Sequence, residues 1–372
     1  MSIQVFKPYI RPSSMEAVQE VLSSGWIGLG PKTKQFEHDF LSYLGVAETH
    51  YAVGLNSNTS GLHIALDLAG VQSGDEVCTV ALTFVSTNHV ILYKQATPVF
   101  VDVDQRTANM CPTDLERKIT DRTKAIIVVH LSGYPADMER INALARKHNI
   151  TVIEDCAHAT GGRYPNGRKI GDSDNICVFS FQAVKNLPVG DGGMLTTPKE
   201  DFYNKAKKLR WLGIDKDTFS RSKHKGSYSW EYSVPYVGYK YHMTDINAAI
   251  GIEQLKFLDE DNARRAAIAA TYRTQLQNVA GVTHYQYADH TLSSFHFYPI
   301  LVENRKALID HLRTHDIYPG VHYKRNDQYD NYETTDLPCT AIIDQKTLTL
   351  PIHVTLEDEA VQKVIDTVKM GW

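Results

Sequence analysis

The most informative stretch of the sequence reads Ile176-Cys-Val-Phe-Ser-Phe-Gln-Ala-Val-Lys185-Asn-Leu-Pro-Val-Gly-Asp-Gly-Gly193. This stretch begins with an apolar run typical of a β-strand, continues to Lys185 and closes with a glycine-rich turn. Upstream, a second apolar run reads Thr151-Val-Ile-Glu-Asp155-Cys-Ala-His158 and ends in a carboxylate and an imidazole. Polar side chains just beyond strand ends predict a ligand site at the edge of a sheet.

Short apolar runs and helix-like stretches alternate between residues 51 and 197, which predicts an α/β fold with a mainly parallel sheet between helices. The predicted strands are residues 51–55, 76–80, 98–101, 125–129, 151–153, 176–181 and 194–196. The predicted helices between them lie near residues 60–69, 86–94, 113–119 and 137–147.

The C-terminal third predicts a smaller α/β unit after one long helix, residues 244–275, with Thr244 as its N-cap. Strands at 296–301 and 318–322 and helices at 305–315 and 356–370 would follow. We therefore expect a large domain of residues 1–245, including the N-terminal segment, and a small domain of residues 246–372.

Composition excludes several classes of protein. The 372 residues are 42% hydrophobic and 22% charged, with a net charge of −4, so neither nucleic acid nor a membrane surface is an expected partner. We find no signal peptide and no run long enough to span a bilayer, and the five scattered cysteines suit reduced thiols, so we expect a cytoplasmic protein. Without CxxC or HExxH spacing, no metal site is expected.

A lysine, an acid and an imidazole at strand ends match the needs of pyridoxal 5′-phosphate (PLP) chemistry. Lys185 would form a Schiff base with the cofactor, and Asp155 would keep the pyridine nitrogen protonated so that the ring accepts electrons. His158 would donate to the phenolic oxygen, although it also suits a structural role. Ser180 and the helix N-terminus at Asn58 and Thr59 can bind a phosphate, although the latter also reads as ordinary helix capping.

Two further features are less specific. Phe84 follows a strand and can stack on a flat ring, although a lone Phe more often belongs to the core. The stretch that begins with Arg221 and Lys223 is basic and then alternates aromatic residues, so it can hold a diphosphate and stack a nucleobase. A solvated charged loop is the alternative reading of that stretch.

The ordered set of motifs resembles the DegT/StrS family of PLP-dependent aminotransferases, which act on nucleotide-linked keto sugars. The motifs extend over nearly the whole chain and are Ser24-Gly-Trp-Ile-Gly-Leu-Gly-Pro-Lys-Thr-Lys-Gln-Phe-Glu37, Asn56-Ser-Asn-Thr-Ser-Gly-Leu-His63, Ala96-Thr-Pro-Val-Phe-Val-Asp-Val-Asp104, Glu154-Asp-Cys-Ala-His158, Phe179-Ser-Phe-Gln-Ala-Val-Lys-Asn186, Gly238-Tyr-Lys-Tyr-His-Met-Thr244, Gly320-Val-His-Tyr323 and Leu348-Thr-Leu-Pro-Ile-His353.

The resemblance implies a fold-type-I PLP transferase, with a seven-stranded sheet and a homodimer whose active sites lie at the subunit interface. It implies that Lys185, Asp155, His158 and Phe84 hold the cofactor ring. The phosphate would be held by Asn58, Thr59 and Ser180. The resemblance also points to substrate-binding residues, which are Trp26, His322, Tyr323, Arg221 and Lys223.

This sequence departs from the family pattern at two positions. Lys240 stands where many members have an asparagine that reaches the partner's cofactor phosphate, and we expect its ammonium to replace that contact. Asn58 stands where a glycine is common.

The function that the resemblance implies is amino transfer from glutamate, through pyridoxamine 5′-phosphate, to a nucleotide-linked keto-deoxysugar. Family prevalence favours a 4-keto-6-deoxyhexose used for surface polysaccharides or glycoconjugates. The alternatives are a 3-keto sugar aminotransferase, a PLP- or pyridoxamine-dependent sugar dehydratase, or a catalytically silent regulatory protein on the same fold. A nucleotide-binding oxidoreductase fits less well, because no G-x-G-x-x-G motif follows the first strand.

Overall fold

The computed structural model describes residues 2–215 and 232–372. Its β-strands are β1 Ile3–Gln4, β2 Tyr51–Leu55, β3 Glu76–Val80, β4 Thr97–Val101, β5 Thr123–Val129, β6 Thr151–Asp155, β7 Ile176–Ser180, β8 Gly193–Thr197, β9 Val282–His284, β10 Tyr298–Val302, β11 Ile317–Tyr318 and β12 Thr347–Leu350.

The α-helices of the described residues are α1 Ser13–Ser24, α2 Pro31–Leu44, α3 Asn58–Leu68, α4 Ser86–Tyr93, α5 Pro112–Lys118, α6 Met138–His148, α7 Glu200–Leu209, α8 Asp245–Leu255, α9 Leu258–Leu276, α10 Arg305–Thr314, α11 Pro338–Lys346 and α12 Asp358–Lys369. None of these helices is long and apolar enough to cross a membrane.

The central sheet has seven strands in the order β2-β8-β7-β6-β5-β3-β4. Strands β3 to β7 pair in parallel, whereas β8 runs antiparallel to both of its neighbours, β2 and β7. The predicted α/β fold with a mainly parallel sheet is therefore confirmed. The carboxyl ends of β2, β6 and β7 lie at one edge of the sheet, and the chain enters β8 at the same edge.

Both faces of this sheet are buried, which explains why its strands read as continuous apolar runs. In β5, Ile126 and Val128 belong to the core that includes α2, while Ile127 belongs to the core on the other face, beneath α3. Phe36 and Phe40 of α2 are fully buried against the sheet and against Phe181.

The predicted single helix over residues 244–275 is wrong, because two helices occupy that region. Thr244 does cap α8, since its side chain accepts a hydrogen bond from the backbone N–H of Asn247. The chain leaves helical geometry at Phe257 (φ −115°, ψ 2°), and α9 then begins. Three acidic residues in the first turn of α9 favour a helix N-terminus there, since they complement its dipole.

The C-terminal part contains a three-stranded antiparallel sheet in the order β12-β10-β9. The predicted strand 318–322 is wrong in extent, because only Ile317 and Tyr318 form strand β11, which pairs in parallel with Ile3 and Gln4. The chain then turns into a segment that brings His322 and Tyr323 to the candidate site. The division into domains of residues 1–245 and 246–372 stays a prediction.

Candidate active site

A cavity of about 420 Å³ opens at the edge of the sheet where β6 and β7 end. Nine residues that the sequence singles out line it: Asn58, Thr59, Phe84, Asp155, His158, Ser180, Lys185, His322 and Tyr323. They come from sequence positions far apart, and the fold brings them together because the carboxyl ends of parallel strands share one edge.

Asp155 is the last residue of β6 and is 3% exposed. Its Oδ1 accepts hydrogen bonds from Asn58 Nδ2 (3.1 Å) and the backbone N–H of Ala157 (3.1 Å), and its Oδ2 accepts from Thr87 Oγ1 (2.8 Å). Burial raises the pKa of Asp155, while these donors and the nearby charge of Lys185 oppose the rise. A buried carboxylate in this position favours a cationic partner.

Lys185 lies in the turn after β7, and the nearest partner of its Nζ is Nε2 of His296, at 3.4 Å. Burial lowers the pKa of the Lys185 amine to about 8, and the charge of Asp155 opposes that shift. An amine with a lowered pKa is neutral more often near neutral pH, and the neutral form is the one that attacks an aldehyde.

His158 is 2% exposed, and its Nε2 lies 2.9 Å from the hydroxyl of Tyr323. Its ring stacks on Tyr323 and on His296, with centroid distances of 5.8 and 4.9 Å. Burial, together with the charge of Lys185, lowers the pKa of His158 well below its usual value, so the ring is neutral. Among the described residues, its Nδ1 atom is buried and has no hydrogen-bond partner.

The first turn of α3 forms one end of the cavity. Ser57 caps this helix by accepting a hydrogen bond from the backbone N–H of Ser60, and Thr59 faces the cavity beside Ser180 of β7. Gly193 passes so close to Ser57 that an added Cβ would lie 2.5 Å from the Ser57 backbone. Backbone amides and hydroxyls at a helix N-terminus form a site suited to a phosphate.

These residues fit PLP on several independent points. The buried Asp155 favours a pyridinium, His158 has a ring nitrogen without a hydrogen-bond partner among the described residues, and the ring of Phe84 (55% exposed) is accessible to a planar ligand. The primary amine of Lys185 faces the same cavity. When bound, PLP supplies an aldehyde for the lysine and a ring that accepts electrons from a substrate carbon.

Asn58 lines the cavity at the start of α3, and its role in holding the phosphate stays a prediction. Its side-chain amide is engaged by Asp155 and by the carbonyl of Val178 (2.9 Å), and the residue is only 7% exposed. The side chain therefore supports the carboxylate, while its backbone remains part of the helix N-terminus.

Two predicted residues lie away from this cavity. Trp26 lines a separate cleft of about 260 Å³ together with Trp211 and His242, and Lys240 holds its Nζ 3.4 Å from the centroid of the Trp211 ring. Neither Trp26 nor Lys240 lines the main cavity of its own chain. Arg221 and Lys223 lie outside the described residues.

Several residues of the cavity were not anticipated from the sequence. Thr87 donates to Asp155, Phe6 and His296 stack at one wall, and Gln182 lines the rim. Thr87 lies in the first turn of α4, and its hydroxyl also lies 3.1 Å from that of Thr83, which precedes the helix.

A second cluster of buried polar side chains lies next to the end of β6, outside the main cavity. Among the described residues, His130, Glu154 and Cys156 have possible metal ligands within 4.8 Å of one another. His130 Nδ1 accepts from the backbone N–H of Ala136, so its Nε2 carries the proton and donates to Glu154 (2.7 Å). Although burial opposes ionisation, bonds from His130 and other donors hold the pKa of Glu154 at about 2. This hydrogen-bonded arrangement leaves His130 no free lone pair for a metal.

The sequence matches the DegT/DnrJ/EryC1/StrS aminotransferase family over residues 8–369. The spore coat polysaccharide biosynthesis protein SpsC of Bacillus subtilis is 38% identical over 97% of this chain and 95% of its own. The sugar aminotransferase CalS13 of Micromonospora echinospora is 34% identical, with a TM-score of 0.91 and complete coverage of both chains.

Spr1654 of Streptococcus pneumoniae has been solved in a PLP form and a pyridoxamine phosphate (PMP) form. Its PLP form is 31% identical, with a TM-score of 0.90, and the match covers 100% of this chain and 98% of that one. The chain described here belongs to the DegT/DnrJ/EryC1/StrS aminotransferase family. The predicted fold type, the enzyme class of PLP-dependent sugar aminotransferase and the PLP cofactor are thereby confirmed.

Proposed function

We propose that the protein transfers an amino group from glutamate to a nucleotide-linked 4-keto-6-deoxyhexose that is used to build a surface polysaccharide or glycoconjugate. The observation that carries the proposal is that Lys185 and Asp155 line one cavity, where the charge of each opposes the pKa shift that burial causes in the other. The similarity to SpsC, a polysaccharide biosynthesis protein, supports the metabolic role.

In this proposal, Lys185 performs two tasks. Its amine would first hold the cofactor and would be freed when the amino donor takes its place. The free amine would take a proton from the α-carbon of the donor and pass it to the cofactor within the same half of the reaction, and it would move a proton in the reverse direction, to the sugar carbon, in the second half. A pKa of about 8 suits an amine that must both gain and lose a proton near neutral pH.

The other residues orient the ring and stabilise its charge. Asp155, held by Asn58, Thr87 and the Ala157 amide, balances a protonated ring nitrogen. The neutral ring of His158 has one N–H group, and this group would donate to the phenolic oxygen of the cofactor. Phe84 would cover one face of the ring, and Thr59, Ser180 and the start of α3 would hold the phosphate.

The sugar substrate would enter from the side of His322 and Tyr323, which line the cavity next to His158. Two copies of the chain would form a homodimer, and Lys240 of each copy would reach the phosphate site of the other. The exposed position of Lys240 beside Trp211, away from its own cavity, supports such a role. Trp26, together with Arg221 and Lys223, would contact the sugar nucleotide.

The test is a single-turnover reaction with the pyridoxamine form of the enzyme. That form is prepared with glutamate, freed of glutamate, and mixed with UDP-, dTDP- and GDP-linked 3-keto and 4-keto sugars. We expect a 4-keto-6-deoxyhexose to restore the absorbance of the lysine-bound cofactor and to yield an amino sugar by mass spectrometry. Conversion of only a 3-keto sugar would show that the amino group is not placed on C4. Formation of a dehydrated sugar would show that the reaction is not an amino transfer.

The matched control is Lys185→Ala, which keeps the rest of the cavity and lacks the reactive amine. It should bind the pyridoxamine form and convert none of the sugars. If the wild-type enzyme also leaves every nucleotide sugar unchanged while remaining in the pyridoxamine form, the proposed substrate class is wrong.

A further inference from the structure

His296 lies against the reactive amine of the site, although no sequence motif drew attention to it. Its Nε2 is 3.4 Å from Nζ of Lys185. The residue is 1% exposed and lies two positions before β10, so it enters the cavity from the C-terminal part of the chain, while Lys185 follows strand β7 of the central sheet. The contact therefore joins residues that are 111 positions apart in the sequence.

The position of the His296 ring is fixed on both faces. Phe6 stacks on one side, with a centroid distance of 5.1 Å and an interplanar angle of 6°, and His158 stacks on it at 4.9 Å and 17°. The His296 backbone is also held, since its N–H donates to the carbonyl of Ser132 (3.1 Å). A ring packed in this way cannot turn away from Lys185 without disturbing the whole stack.

The His296 ring is neutral, because burial and the charge of Lys185 lower its pKa well below the usual value. Its Nδ1 is buried and has no hydrogen-bond partner among the described residues, so the contact with Lys185 sets the tautomer: an ammonium can only donate, which places the ring proton on Nδ1. When the proton is on Nδ1, Nε2 is an acceptor. Both the ammonium and the neutral amine of Lys185 have a hydrogen to donate to it.

We propose that His296 is a positioning residue that accepts a hydrogen bond from the released amine of Lys185 and aims the amine at its reaction partners. The proposal rests on the proposed amino-transfer function. The Lys185 amine would take the proton of the donor C–H bond as a new N–H bond, and the electron pair of that bond would need the electron-accepting ring that bound PLP supplies. His296 neither gains nor loses a proton. It accepts one N–H hydrogen of the Lys185 amine, so the lone pair of that amine stays free to take the proton of the donor.

The first test needs no amino donor. Cofactor-free protein is mixed with saturating PLP, and the rate of covalent capture by Lys185 is followed by absorbance. His296→Phe keeps an aromatic ring between Phe6 and His158 but removes the acceptor, and we expect capture to slow by about tenfold, because the amine is no longer oriented. His296→Gln, which retains an acceptor, should recover part of the rate.

The matched control is His284→Phe, the same change in the neighbouring strand β9. His284 Nδ1 bonds the hydroxyl of Tyr298 (3.0 Å), and the residue does not line the cavity. Its capture rate should equal that of the wild type. Circular dichroism and thermal unfolding of all three variants separate a loss of fold from a loss of positioning.

The second test uses the loaded enzyme with glutamate deuterated at the α-carbon. In His296→Phe we expect an unchanged half-saturating glutamate concentration, a rate of cofactor conversion lower by about tenfold, and a larger isotope effect, since proton transfer becomes more limiting. If the wild type does not react with glutamate, the proposed function fails, while the capture experiment still decides on His296. The proposal would be overturned if His296→Phe captured PLP at the wild-type rate. It would also be overturned if His296→Phe and His296→Gln lost the same share of that rate.

Discussion

The side-chain amide of Asn58 donates one hydrogen to Oδ1 of Asp155 at 3.1 Å and the other to the carbonyl of Val178 at 2.9 Å. The residue that begins α3 is thereby tied to the ends of β6 and β7. Where the family often has a glycine, this chain has a side chain that fixes the acid of the site.

Asn58→Ala should weaken PLP binding without unfolding the protein. The change removes one of three donors to the Asp155 carboxylate, so the acid is less well oriented toward the pyridine nitrogen. A hydrogen bond to a charged group contributes enough that we expect about a tenfold weaker affinity for PLP. Titration of the cofactor-free variant and wild-type proteins with PLP measures the two affinities. An affinity equal to that of the wild type would show that the bond is incidental.

Asp155→Asn should retain some cofactor but lose most of the amino-transfer rate. An amide does not balance the charge of a protonated ring nitrogen, so the ring accepts electrons from the substrate less readily. Loss of a charged partner in a buried site should reduce the rate by about 10²-fold or more. The rate of cofactor conversion by glutamate in a single turnover measures this. Near-normal conversion would show that the acid has only a structural role.

Covalent capture of PLP should depend on pH through Lys185 itself. Burial lowers the pKa of its amine from 10.5 to about 8, and only the neutral amine attacks the aldehyde. Capture should therefore rise with pH and level off above pH 8, whereas an ordinary lysine would continue to gain up to about pH 10.5. Free Nα-acetyl-lysine mixed with PLP at each pH is the control. If the protein follows the same profile as the free amino acid, the site does not lower the pKa of Lys185.

Much of the fold and half of the site could be predicted because their signals are local. Strands β2 and β3 have the predicted bounds, since short apolar runs between turn residues define a buried strand. Lys185 and Asp155 stand at strand ends, and the parallel topology brings such ends together. Composition and spacing were sufficient for these features.

The features that were missed depend on contacts between distant parts of the chain. Strand β1 exists because Ile3 pairs with Ile317, and no pattern within two residues reveals that pairing. His296 lies beside Lys185 in a stack with Phe6 from the N-terminal segment and with His158, residues far from it in sequence. The side-chain amide of Asn58 donates a hydrogen bond to Asp155 at the edge of the sheet, and the sequence around either residue does not indicate this contact.

The predicted homodimer can be tested through Lys240. If its ammonium reaches the cofactor phosphate of the partner, Lys240→Ala should weaken PLP retention while leaving the fold intact. Mixing Lys240→Ala with Lys185→Ala subunits should then raise activity above both parents, because each mixed dimer has one site without either change. Random exchange places about half of the dimers in this mixed form.

Two outcomes of this experiment would contradict the shared site. Normal PLP retention and turnover in Lys240→Ala would make Lys240 a surface charge resting on Trp211. Impaired Lys240→Ala protein that gains nothing from mixing, despite subunit exchange confirmed by native mass spectrometry, would place the action of the lysine within its own chain.

The central claim is that Lys185 holds PLP in the cavity formed by Asp155 and His158. Reduction of the PLP-loaded protein with borohydride, followed by proteolysis and peptide mass spectrometry, tests it most directly. We predict a single pyridoxyl adduct on Lys185 and none in Lys185→Ala. An adduct on another lysine, or no adduct in wild-type protein saturated with PLP, would contradict the account.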